Sequence, residues 1–252
     1  MAIVYSFDVT SEFALFADPT INTNKVSYNL PSKTTIVGLL GAILGIKWSD
    51  SKVYTDEFLR LYKEIKIGID IEQIPQKTIY YTNHVSFKKV KHKPFKVELL
   101  VKPKYKIYLY SETGVAREIV KAIPNKGNEY DIPEKPSYFT PFLGNAYCLA
   151  RLNNLETIKC VSDTSGGFIP ASIIPVKYKN VLPLGTSNNE LKALVEYNYL
   201  LSKDKPPILE PILYYAIFNK PFYLELLDVK NSMIEDVTIF RKEDSEEAIM
   251  LF

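Results

Sequence analysis

Between Ala2 and about residue 155 the chain runs through strand, helix, strand, strand, helix and strand, and few folds accept that order. "AIVYSFDVT" at the start alternates apolar and polar residues and is rich in β-branched and aromatic types, which predicts a first strand. A helix follows from Lys33 or Thr34 to about Leu44, and a second from about Asp56 to Glu64. "IKIGIDIE" then reads as a strand with period two. Strand-forming runs recur in "TIYYTNHVSF" and "FKVELLVKPKYKIYLY", around a lysine-rich centre that predicts a hairpin at about 77–96. "GVAREIVKAI" has helical spacing and stops at Pro124, and "NAYCLARLN" supplies another strand. The sum is an α+β, ferredoxin-like domain over residues 1–155, an antiparallel sheet with its helices on one face and the other face free. Residues 156–252 are expected to form a smaller β-rich extension. There 190–201 has a helical look, and "PFYLELLDV" and "VTIFRK" suggest paired strands.

The first helix carries its own signals. Ser32 suits an N-cap and Gly45 a stop, with Ile36, Leu39, Leu40, Ile43 and Leu44 making the apolar stripe. Gly38, Gly41 and Gly45 allow close approach to a sheet, although an interior glycine costs a helix up to ~1 kcal/mol. "SKTT" is no phosphate-binding loop of the nucleotide-hydrolase kind, since no glycine precedes Lys33 at the required spacing. The helix start can still receive a phosphate, through the free N–H groups of its first turn and the side chains of Ser32, Lys33 and Thr34.

Charge narrows the class of partner. The chain has 252 residues and a formal charge of only +2, yet Lys77 to Lys106 holds nine lysines against one acid, Glu98. The remainder is therefore net acidic. A patch of that density is the footprint of a polyanion, because each lysine set against a phosphate releases condensed counterions. A solvated lysine-rich hairpin is the plainer alternative. The longest apolar run, Ile36 to Ile46, is too short to span a bilayer, and no signal-like leader is evident, so a cytoplasmic protein with no membrane role is expected. Two cysteines and two histidines argue against a disulfide framework or a metal centre, and no cofactor is implied. An open sheet face beside a basic hairpin suits single-stranded RNA, although the usual RNA-recognition signature of glycines alternating with aromatics is absent.

The blocks "VYSFDVTSEFALFAD", "SYNLPSKTTIVGLLGAILG", "KVELLVKPKYKIYLY" and "YFTPFLGNAYCLARL" stand in that order over about Ile3 to Leu152. In them the chain resembles the CRISPR-associated Cascade subunit five family of the RAMP superfamily, which caps the 5′ end of the guide RNA in type I interference complexes. The resemblance implies a ferredoxin-like palm, a β-hairpin thumb before the third palm strand, and binding of the guide RNA's 5′ handle. It also implies contacts with the backbone subunit of the seven family and the large subunit of the eight family, with target DNA reached through the assembled complex. The phosphate contacts expected on these grounds are Ser32, Lys33 and Thr34 at the helix start, Lys77, Lys88, Lys89, Lys91 and Lys93 on the hairpin, and Lys104. Tyr28, Tyr81 and Phe87 are the stacking candidates, with ordinary core packing as the alternative for each.

Some members of that family cut precursor guide RNA without metal, using tyrosine, lysine and histidine. Such cleavage needs a base for the 2′-hydroxyl, a cation for the phosphorane and an acid for the leaving oxygen. His92 or His84 with Lys91 and Tyr81 supplies those types, and "KHK" at Lys91–Lys93 places lysine and histidine side by side. A hydrated basic hairpin explains His92 without chemistry, so a non-catalytic clamp is the preferred expectation. A metal-independent ribonuclease is the alternative, and a generic single-strand binder is the third.

Overall fold

A computed structural model describes residues 1–21, 24–50, 53–86, 91–127, 132–162, 166–177, 191–200, 208–217, 224–225, 233 and 236–252. Its first half contains β1 (Ala2–Ser11), β2 (Phe13–Ala14), α1 (Lys33–Leu44), β3 (Ser49–Asp50), β4 (Val53–Tyr54), α2 (Asp56–Glu64) and β5 (Lys66–Asp70). Then come β6 (Gln76–Ser86), β7 (Lys91–Val101), β8 (Lys104–Tyr110), α3 (Val115–Val120) and β9 (Ala150–Val161). Among the described residues the later elements are strands: β10 (Gly167–Pro170), β11 (Ile174–Lys177), β12 (Leu191–Leu200), β13 (Ile208–Ile217), β14 (Leu224–Glu225), β15 (Thr238–Lys242) and β16 (Glu247–Leu251).

Four of these strands lie in the order β9-β1-β8-β5. That is the fourth, first, third and second palm strand of a ferredoxin-like sheet, with α1 and α2 in the first crossover and α3 in the second. Both helix boundaries follow local chemistry. The Ser32 hydroxyl accepts the Thr35 N–H at the α1 start, and Gly45 ends the helix at φ 75°. Thr55 caps α2 in the same way, accepting from Phe58 N–H.

Period two divides the sheet into two faces. Phe7 and Val9 of β1, Tyr105, Ile107 and Leu109 of β8, and Ile67 and Ile69 of β5 point toward the helices. There they meet Ile36, Val37, Leu40 and Ile43 of α1, Phe58 and Leu61 of α2, and Ile119 of α3 in the main core. Burying each such aliphatic side chain contributes roughly 1.5–3 kcal/mol before entropy is charged against it. The sheet β11-β13-β12 packs at one side of this core through Ile212, Tyr214 and Ala216.

The second face is not free, contrary to the sequence expectation. β15 pairs with β9, β16 with β15 and β10 with β16, so the sheet continues past the palm and curls over its other side. Ile67 and Phe252 exchange N–H···O bonds of 3.0 Å each way, which brings the end of β16 onto β5. Val4, Tyr108 and Cys160 on the concave face are covered by Ala171, Phe240, Ile249 and Leu251. Gly68 is the tightest contact of this closure, since a Cβ there would lie 2.7 Å from the Met250 carbonyl oxygen. Where the concave face stays polar its charges are matched. Asn154 donates to Asp8 at 2.9 Å, and Glu156 takes Lys126 and, at 4.0 Å, Lys106.

Two further corrections fall in the C-terminal part. Residues 191–200 form a strand, not a helix, paired with β13 from Leu191↔Ile217 to Leu200↔Ile208. Leu191, Ala193, Val195, Tyr197 and Tyr199 recur at period two, and their β-forming types outweigh the helical spacing of Leu191, Leu194 and Val195. Among the described residues, the runs "PFYLELLDV" and "VTIFRK" are also not partners. β14 pairs with β10, and β15 with β16 and β9.

Candidate nucleic-acid interface

β6 and β7 make a hairpin whose register runs from Gln76↔Val101 to Ser86↔Lys91. It enters the chain between the second and third palm strands. β2 joins it only at the root, through Phe13↔Val101 and Ala14↔Leu100. Alternation gives the arm one outward side on which Ile79 and Tyr81 are exposed, and Lys96 stands across from Tyr81 on that side. Tyr81 is the most open of them, at 74% exposure. Tyr80 turns the other way, packs on the core, and shares a 2.7 Å hydrogen bond with the Tyr147 hydroxyl. Burial and that bond push the Tyr147 phenol above its ordinary pKa, so it is no base near neutral pH.

Tyr147 belongs to a loop, 138–149, that ties the hairpin root to α1. Tyr138 and Phe139 donate their N–H groups to Ile43 and Ala42 at 3.0 and 2.9 Å, satisfying carbonyls of the last helical turn. Leu15 donates to Leu143 at 3.1 Å. Gly144 sits against Leu15 at φ 79°, and a Cβ there would fall 1.8 Å from the Leu15 oxygen, so only glycine fits.

Between this loop and α1 lies a groove of about 550 Å³. Its floor is the α1 face of Thr34, Thr35, Gly38 and Ala42, and its walls carry Trp48, Tyr54 and Phe58 on one side and Phe139 and Phe142 on the other. Lys47 is the single charged residue of the lining among the described residues. Trp48, Phe139 and Phe142 are all exposed.

Residues 4–122 match the family described as CRISPR-associated protein (Cas_Cas5). The match covers just under half of the chain, whose N-terminal part is thus similar to the Cas5 family. Among solved structures, "Crystal structure of a CRISPR protein from Archaeoglobus fulgidus" superposes with a TM-score of 0.52 at 13% identity, covering 98% of each chain. The two chains share their fold. A chain of "CRISPR RNA-guided surveillance complex" matches with a TM-score of 0.49 at 12% identity, over 90% of this chain and 96% of that one. Curated protein sequences give no match.

Within this fold the residues expected from the sequence are distributed unevenly. Thr34 lines the groove, and the Ser32 hydroxyl bonds both Thr34 and Thr35, at 2.8 and 2.9 Å. Lys33, one step of ~100° round the helix, leaves the groove and sets its ammonium 5.0 Å from the centre of the Tyr62 ring. Burial, with the charge of Lys66 adding to it, lowers the Lys33 pKa to about 8. Lys77 donates to the Ser27 carbonyl at 2.6 Å and to Glu98 at 2.9 Å, so its charge is spent at the hairpin root. Lys104 pairs with Glu72 at 3.0 Å in solvent. Tyr28 is half-buried against the core. Phe87, Lys88 and Lys89 lie outside the described residues, as do the side chains of His84, Lys91, His92 and Lys93.

Sequence reasoning missed the groove. Trp48, Phe139 and Phe142 stand in separate stretches, each ordinary alone. The available signal was the single tryptophan of the chain directly after Lys47, together with the aromatic residues of "YFTPF". No helix among the described residues is long and apolar enough to cross a membrane.

Proposed function

We propose that this chain is a Cas5-family protein that holds the 5′ handle of a guide RNA as the capping subunit of a type I CRISPR complex. The observation that carries the proposal is the hairpin: an arm rising from the palm between its second and third strands, with lysine-dense sequence at its tip and Tyr81 open on its side. Such an arm supplies cations for phosphates and an aromatic surface for bases, the two terms from which single-strand binding is built. In this assignment residues 1–155 are palm and thumb, and 156–252 are a β-rich extension braced on them. The seven-family backbone subunit and the eight-family large subunit are the expected neighbours, and target DNA reaches the chain through the assembly.

The test is incubation of the purified protein with labelled repeat RNA in EDTA, followed by electrophoresis and by binding at several salt concentrations. The expected result is RNA retained at full length. Replacing Lys88, Lys89, Lys91 and Lys93 with alanine should weaken capture and flatten the log–log salt slope by about 0.7 for each phosphate that is no longer neutralised. Cutting at one position, abolished by His92→Ala, would make the chain a metal-independent ribonuclease instead. Equal affinity for unrelated single strands would reduce it to a generic binder.

A further inference from the structure

The three glycines of α1 and its stop do different work. A Cβ added at Gly41 would meet the Ile46 carbonyl oxygen and the Leu61 side chain at 3.5 and 3.7 Å, and Gly45 turns the chain under the Tyr138 ring. Gly38 does neither. A Cβ added there would meet nothing within 4 Å, and the position opens onto the groove. An interior glycine costs a helix up to ~1 kcal/mol relative to alanine, and no packing contact within the described residues offsets that cost here. The bare backbone therefore leaves room for something from outside.

We infer that the groove is a pocket for one unpaired nucleobase of the RNA held by the hairpin, seated against Gly38 between Trp48 and the Phe139–Phe142 wall. Aromatic walls offer flat surfaces on which a base can stack. The floor supplies the Thr34 and Thr35 hydroxyls at the positive end of α1, and the rim supplies Lys47, while no acid lines the groove among the described residues. That charge pattern fits a nucleotide and not a basic peptide. At about 550 Å³ the volume lies in the range of small-molecule sites and admits a base with its sugar. The wall loop runs on to Tyr147, bonded to Tyr80 at the hairpin root, so the groove and the arm are tied to one another. The inference rests on the RNA-holding function proposed above and adds the place where a base is read.

Trp48 is the only tryptophan of the chain and is 63% exposed, so its emission reports the groove directly. The experiment adds unlabelled repeat RNA to the whole protein, follows Trp48 fluorescence, and measures affinity in parallel by anisotropy of a labelled copy. Gly38→Leu fills the open space with a good helix former, and Gly38→Ala, which fits that space, serves as its folding control. The expected result is quenching by RNA in the native protein and its loss in Gly38→Leu, with affinity reduced roughly five- to a hundredfold in that variant. RNA bound at undiminished affinity by Gly38→Leu, or with Trp48 emission unmoved or equally quenched in both proteins, overturns the pocket and leaves the clamp standing. Emission that RNA leaves unmoved but a purified partner subunit quenches assigns the groove to protein docking and overturns it as well. Failure of the native protein to bind repeat RNA at all removes both.

Discussion

The two faces of the central sheet are buried by different means. The helix face is covered by α1, α2 and α3, all within about the first 120 residues, and most of its core lies between Phe7 and Ile123, with Ile173, Ile212, Tyr214 and Phe252 among the later residues that join it. The concave face is covered by strands from beyond residue 165, through a smaller cluster around Tyr108, Phe240 and Ile249. One half is thus assembled from neighbours in the chain, the other by pairing across a long separation, which is entropically harder to reach. The contrast teaches that a ferredoxin-like order of elements fixes one layer of the molecule and is silent about the other.

Ile107→Ala strikes the helix face at a fully buried position and should cost about 2–5 kcal/mol, read from urea unfolding. Gly68→Ala strikes the closure instead, forcing a methyl group against the Met250 carbonyl, and should cost about 1–3 kcal/mol. A second, earlier transition in Gly68→Ala, seen by Tyr110 or Phe240 probes alone, would show that the concave cover opens as its own unit. A single shifted transition would merge the two halves thermodynamically.

The smallest effect is expected at the seam. Lys33 of the helix layer feels Lys66 at the edge of the sheet, and its folded pKa of about 8 lies below the 10.5 of an unburied lysine. Below pH 8 both states hold the proton and the burial cost is fully present. Between about 8 and 10.5 the unfolded chain binds more protons, so the native protein gains stability as pH rises. Lys33→Met should remove that gain and be more stable at pH 7 by about 1–3 kcal/mol, measured as the difference between two pH series of thermal melts.

Much of the palm was legible because its signals are local. Ser32, Gly45 and the limits of α2 are written in caps and stops a few residues apart. The cover of the concave face was not, since nothing in "VTIFRK" names β9 as its partner. Residues 191–200 misled because Leu191, Leu194 and Val195 satisfy a helical count, while the Ile208–Ile217 strand that decides the matter lies beyond a local window. At the interface the basic arm was visible as a run of charge. The aromatic groove was not, because Trp48, Phe139 and the open side of Gly38 meet only in three dimensions.

Beyond Lys96, past the stretches of β7 bordered by β2 and by Lys25, the described part of the β6–β7 arm is a ribbon of two strands. A ribbon of that kind leaves a rail of backbone donors and acceptors along each margin, an invitation for a second copy to zip on. The lysines crowded into its sequence make such zippering repulsive. The charges proposed to draw a polyanion thus also keep one molecule's finger from knitting to another's, and neutralising them should promote self-association whatever it does to the proposed RNA capture.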